Sequence, residues 1–141
     1  MGLDQYATSI TSRGLTLREQ MQSLLTSEER KAFAQENNLD QEIAELCYWR
    51  KHANLNEWMT QLAVSRGVVT DAGDFNCVDL VLTSEDIDSL EDSINKGNLP
   101  HGEGFFWGAS DERDTKLDRV FIQNARQAFK EGKQVVYSCW W

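Results

Sequence analysis

The chain is short of cationic charge and histidine, and each shortage removes a class of function. Its 14 Lys and Arg stand against 23 Asp and Glu, a formal net charge of −9 over 141 residues. Phosphate-backbone binding and docking on an anionic membrane both need clustered Lys and Arg, so neither is expected. No apolar run reaches the roughly 18 residues that a transmembrane helix needs. The opening residues 1–10 carry Asp4 and no apolar stretch, which speaks against a secretory signal, and Tyr6 stands where a myristoylation signal needs Ser or Thr. Cys47, Cys77 and Cys139 lack C-x-x-C spacing, and His52 and His101 are the only histidines. A disulfide framework, a zinc site and a bound cofactor are therefore not expected, and an odd cysteine count fits a reducing cytoplasm.

What is present is an ordinary globular composition, 40% hydrophobic and 26% charged, over a length that suits one domain spanning residues 1–141. Capping patterns divide it. Thr16 with Glu19 and Thr26 with Glu29 predict helix starts, giving helices near 17–25 and 27–36. Asn54 with Glu57 opens a third, in which Leu55, Trp58, Met59, Leu62 and Ala63 share one face. Thr83 with Asp86 opens a fourth that carries Ile87, Leu90 and Ile94. Ser110 is the expected cap of a fifth, with Leu117, Phe121, Ala125 and Phe129 on its inner face. Strands are expected at 3–10 (an edge), 43–49, 75–82, 104–108 and 135–141. The prediction is an α+β fold, a mainly antiparallel sheet of about five short strands packed with about five helices.

Three stretches carry candidate chemistry. Cys47-Tyr48-Trp49-Arg50-Lys51-His52 is the densest cationic segment of an acidic chain. Arg50 suits bidentate binding of a phosphate or carboxylate, and Trp49 suits stacking. In Pro100-His101-Gly102-Glu103-Gly104, His101 and Glu103 form a candidate acid–base pair, with His52 as the other candidate. The glycine spacing there is not a dinucleotide fingerprint, and no Walker lysine follows. The third is Trp140-Trp141, whose side chains point to opposite faces if they lie on a strand, so that one completes the core. A nucleophilic cysteine paired with either histidine is a lesser alternative. The acidic row at 85–92 looks like a solvated helix face, and with the row at 111–118 it would be the carboxylate surface of an acidic decoy.

The blocks Met1-Gly2-Leu3-Asp4-Gln5-Tyr6, Tyr48-Trp49-Arg50-Lys51, Phe75-Asn76-Cys77, Gly104-Phe105-Phe106-Trp107-Gly108 and Trp140-Trp141 resemble a family of small uncharacterised proteins of bacteriophages, including those of marine cyanobacteria, and of some bacteria. The resemblance implies a one-domain architecture, in which residues 14–38, matching none of these blocks, are a helical insertion, and a phage-type accessory role in the cytoplasm of a host cell. It also implies a ligand site formed by Asp4, Trp49, Arg50, His52, Asn76 and Trp107. The expected partner is a small anionic ligand or a host protein. The alternatives are an enzyme acting on a nucleotide or other small phosphorylated substrate, and an acidic decoy of a nucleic-acid-binding protein.

Overall fold

The computed structural model describes residues 2–102 and 110–141. The expected strand at 104–108, with Glu103 and Trp107, lies outside them. Four strands, β1 (Asp4–Ile10), β2 (Ile43–Arg50), β3 (Leu80–Leu82) and β4 (Gln134–Trp140), form one antiparallel sheet in the order β2-β1-β4-β3. The helices are α1 (Ser12–Gln22), α2 (Ser27–Glu36), α3 (Ala53–Ser65), α4 (Ser84–Lys96) and α5 (Glu112–Lys130). The α+β class predicted from the sequence is the one observed, with four strands among the described residues.

Two strand predictions need correction. The opening strand is central, not an edge: Asp4 lies opposite Arg50 on one side and Trp140 on the other. Its polar composition misleads because Gln5, which faces inward, finds all its partners inside the fold. The strand expected over 75–82 shrinks to Leu80–Leu82. Phe75 closes a short 3-10 helix, and Cys77 adopts a left-handed φ of 63° that breaks extended pairing.

Helix starts follow local hydrogen bonding. Thr26 and Thr83 cap as their sequences predict, accepting from the amides of Glu29 at 3.1 Å and Asp86 at 3.2 Å. The predicted start at Thr16 is displaced: Thr11 is the cap, accepting from Gly14 N at 3.0 Å, while the Thr16 hydroxyl donates to Ser12 O within α1. Asn54 already lies inside α3, and the preceding His52 makes no side-chain cap. Asp111 caps α5 instead of Ser110, in a reciprocal box with Asp114. Ser110 is thereby free for a different task.

Helices α3, α4 and α5 cover one face of the sheet. Leu55 and Met59, Ile87 and Leu90, and Phe121 and Ile122 close over Trp49, Phe75 and Tyr137. Trp58, Leu62, Leu117 and Phe129 pack at the margin, so the predicted stripes of α3 and α5 do meet one sheet. Burial of these apolar faces is the main stabilising term. On the opposite face, Ile10 and Val136 are buried outside that cluster. There α1 lies close: a Cβ on Gly14 would stand 2.8 Å from Ile10 Cγ1. Arg18 reaches Asp79, ahead of β3, at 2.7 Å. The rest of this face shows Tyr6, Tyr48 and Trp140 to solvent, whereas Trp141 packs against the core. Helix α2, within the expected insertion, buries no residue.

Candidate functional site

Alternation along β2 sends Trp49 into the core and leaves Arg50 exposed. Lys51 then takes a left-handed φ of 60°, its amide donating to Leu3 O at 2.8 Å, and this tight turn brings His52 back inside. The Gln5 side chain clasps the His52 backbone. His52 N–H donates to Gln5 Oε1 at 2.8 Å, and Gln5 Nε2 donates to His52 O at 3.0 Å. Gln5 Nε2 also donates to the Tyr137 hydroxyl at 2.9 Å, and Tyr137 in turn donates to Asn56 Oδ1 at 2.7 Å. A strand, a turn and a helix start are thus tied at one point.

The imidazole, 2% exposed, lies between a hydroxyl and a carboxylate. Nε2 is 2.9 Å from Asp118 Oδ2, and Nδ1 is 2.7 Å from Ser110 Oγ. Asp118 Oδ1 accepts from Trp49 Nε1 at 3.0 Å, so both carboxylate oxygens are engaged by ring N–H donors. A carboxylate only accepts, which assigns the proton to Nε2 and leaves Nδ1 of the neutral ring as an acceptor for the Ser110 hydroxyl. Ser110 Oγ also accepts from the Asn54 amide at 3.0 Å, which puts this oxygen at the N-terminus of α3. The dipole there favours negative charge. A second carboxylate, Asp114 Oδ2, lies 3.8 Å from Nδ1. Burial raises the Asp114 pKa, and the charges of Asp111 and Asp118 add to it.

Ser110, His52 and Asp118 line a cleft of about 370 Å³, with Asn54, Ile94, Gly97, Leu99, Asp111, Glu112 and Thr115. Gly102 borders it. Its amide donates to Asn54 Oδ1 at 3.0 Å, and a Cβ at this position would stand 2.0 Å from Ala53 O, so only glycine passes there. Across the first turn of α5 lies a second groove of about 440 Å³, lined by Tyr48, Arg50, Lys51, Arg113 and the shared Asp111.

The residues expected from the sequence divide between these places. Trp49 and His52 meet on Asp118. Arg50 opens on the second groove and makes no ion pair among the described residues. Asp4 accepts from the Tyr48 hydroxyl at 2.6 Å on the far face of the sheet. Asn76 exchanges two bonds with the backbone of Trp141, at 2.9 and 3.0 Å. His101 is exposed. Of the acidic row 111–118, Asp114 and Asp118 are buried.

Sequence reasoning missed Ser110 in this role, Gln5, Asp114 and Asp118. A signal existed for the last two: they fall four apart on the stripe of α5 that continues through Phe121, Ile122 and Ala125. A carboxylate on an apolar stripe needs a buried partner. Among the described residues no group of three or more His, Cys, Asp and Glu side chains is arranged to hold a metal ion. Compared with known proteins, the chain matches no family model, no curated protein and no solved structure.

Proposed function

We propose that the protein is a hydrolase that transfers the acyl group of a small ester or amide to Ser110 and then to water. One observation carries this reading: the chain of contacts Trp49–Asp118–His52–Ser110, unbroken at hydrogen-bond distance, ends on a hydroxyl at a cleft. A nucleophile beside a base, with the base held by a third group, is the general plan of acyl-transfer catalysis. Here the ring is used in the opposite sense to the serine proteases, with Nδ1 toward the hydroxyl and Nε2 toward the carboxylate.

The steps balance. Ser110 Oγ gives its proton to His52 Nδ1 as it adds to the carbonyl carbon, and the imidazolium lies between Asp118 and Asp114. The proton on Nδ1 passes to the departing alcohol or amine, leaving an ester on Ser110. A water molecule repeats the sequence, losing its proton to Nδ1 and releasing the acid, and Ser110 recovers its own proton. The Asn54 amide, at the α3 N-terminus, donates to Oγ itself and so favours the negative charge that Oγ takes on as its proton leaves.

The test is labelling by a fluorophosphonate, which phosphonylates an activated serine. The expected result is one label per chain, on Ser110, absent from Ser110→Ala and much slower in His52→Gln that retains the native circular dichroism. Labelling no faster than in Ser110→Ala would overturn the reading.

The second groove supports the small-anion reading, because its three cations, Arg50, Lys51 and Arg113, outnumber the carboxylates of Asp111 and Asp114 that also line it, and Arg50 is not paired with either. Titration with inorganic pyrophosphate tests it: Arg50→Ala should lose about 1.5–3 kcal/mol of binding free energy with little change in Tm. Equal binding by both proteins would discard the groove as an anion site. A phage-type accessory role in a host cell accommodates either chemistry.

A further inference from the structure

The charge around the Ser110 cleft points to its substrate class. We infer that the cleft takes acyl compounds bearing an ammonium group, and that Glu112 at its rim is the residue that receives the cation. The inference rests on the hydrolase reading above.

Of the described residues that line the cleft, none is Lys or Arg, while Asp111, Glu112 and Asp118 are all there. Of the cations on the bordering helices, Lys96 pairs with Asp92 at 2.8 Å, Arg119 donates to Asn95 at 3.0 Å, and Lys116, one turn after Glu112 on α5, is exposed and does not line the cleft. The carboxylates are not equivalent. Asp118 is committed to Trp49 and His52, and Asp111 is matched by Arg113 at 3.0 Å. Glu112 is exposed and has no hydrogen bond or ion pair among the described residues.

A second feature adds to this. Ile94 and Gly97, the last turn and cap of α4, also line the cleft, and the C-terminal end of a helix carries partial negative charge. The cleft is therefore polarised along its length. Its floor, where the α3 amide meets Ser110 Oγ, suits the negative charge that this oxygen takes on as its proton leaves; its rim suits a cation. A phosphorylated or carboxylated substrate would meet Glu112 and the α4 end unfavourably. The apolar part of the lining, Ile94 and Leu99, leaves room for a short hydrocarbon between the two charges. The volume, about 370 Å³, is at the small end of ligand sites.

Three p-nitrophenyl esters of equal acyl length, ending in an ammonium, a methyl or a carboxylate group, test the inference, with Ser110→Ala as the background for each. The ammonium ester should show the highest Ser110-dependent kcat/KM, above the carboxylate ester by about tenfold, the scale of one partly exposed charge pair. The advantage should shrink as salt is raised, and Glu112→Gln should cut the ratio of ammonium to methyl ester. Ser110-dependent turnover that is equal for the three, or highest for the carboxylate, would overturn the substrate class and leave the hydrolase standing. No Ser110-dependent turnover of any ester would overturn both.

Discussion

At the scale of single residues, the site depends on polar groups turned inward, and those that hold His52 are partnered. Asp118 is 1% exposed and takes an N–H from each of two rings. In Asp118→Asn, an amide NH2 must face one of those donors, leaving a buried mismatch. Urea unfolding should show a loss of about 1.5–3 kcal/mol, the scale of a charged hydrogen bond, and Trp49→Phe a smaller one. A stability equal to wild type would mean the Trp49–Asp118–His52 chain contributes nothing to the fold. The cysteines make a second residue-scale case. Burial, with the Asp118 charge adding to it, pushes the Cys47 thiol up to about 12, and burial lifts Cys139 to about 12 as well. Few thiolates form at such sites. Native protein at pH 8 should therefore release one equivalent from a thiol reagent, at exposed Cys77, and three after unfolding. Fast modification of more than one native thiol would contradict this burial. The partnerships themselves were not legible in the sequence. His52 was visible as a candidate, and the place of Asp114 and Asp118 on the apolar stripe of α5 is a signal of burial, but which groups they meet is decided only by the packing of α5 on β2.

Individual elements were easier to foresee, because their ends are settled by neighbours a few residues apart. Thr26–Glu29 and Thr83–Asp86 named their helices from the sequence alone. Thr16–Glu19 misled, since Thr11 caps α1 through an equally local bond, and Ser110 misled because its hydroxyl leaves α5 for the start of α3. Thr83→Ala should cost about 1 kcal/mol of stability, by urea unfolding, for the lost cap of α4. The same cap carries a pH dependence. Burial raises the Asp86 pKa, but hydrogen bonds from Arg66 and from the Thr83 backbone amide and hydroxyl outweigh it, so the carboxyl ionises below its ordinary value. A lowered native pKa means that the contribution is complete above the unfolded value, about 3.9, and is lost as pH falls through the native one. The stability gap between wild type and Asp86→Asn should accordingly close in acid; a gap that widens there would reverse the assignment. Gly14→Ala tests the packing of α1. Its new methyl would meet Ile10 Cγ1 and Glu42 Cβ at 2.8 and 2.9 Å, so α1 must lift from the sheet at a cost of about 1–3 kcal/mol.

Across the whole molecule, the one-core α+β design was readable from helical stripes beside β-rich runs, whereas strand order was not. Nothing local in residues 4–10 says that both sides of β1 are paired, because its two partners lie about 40 and 130 positions away in sequence. The order β2-β1-β4-β3 makes β4 the strand that joins the others, since β3 touches the sheet through β4 alone. A chain cut after Lys133 should lose cooperative unfolding altogether, as followed by circular dichroism; a sharp transition in the shortened chain would show that β1 and β2 form a stable unit without it. That position of β4 also fixes the order of events on the ribosome. β4 is made after the other three strands, and it spends its first moments in the exit tunnel while β1 waits with an open edge. Unpaired edges recruit other chains, so a nascent polypeptide of this design is most exposed to aggregation and to chaperones just before β4 emerges. Slow pairing between distant segments, not slow helix formation, then limits how fast each newly made molecule becomes native.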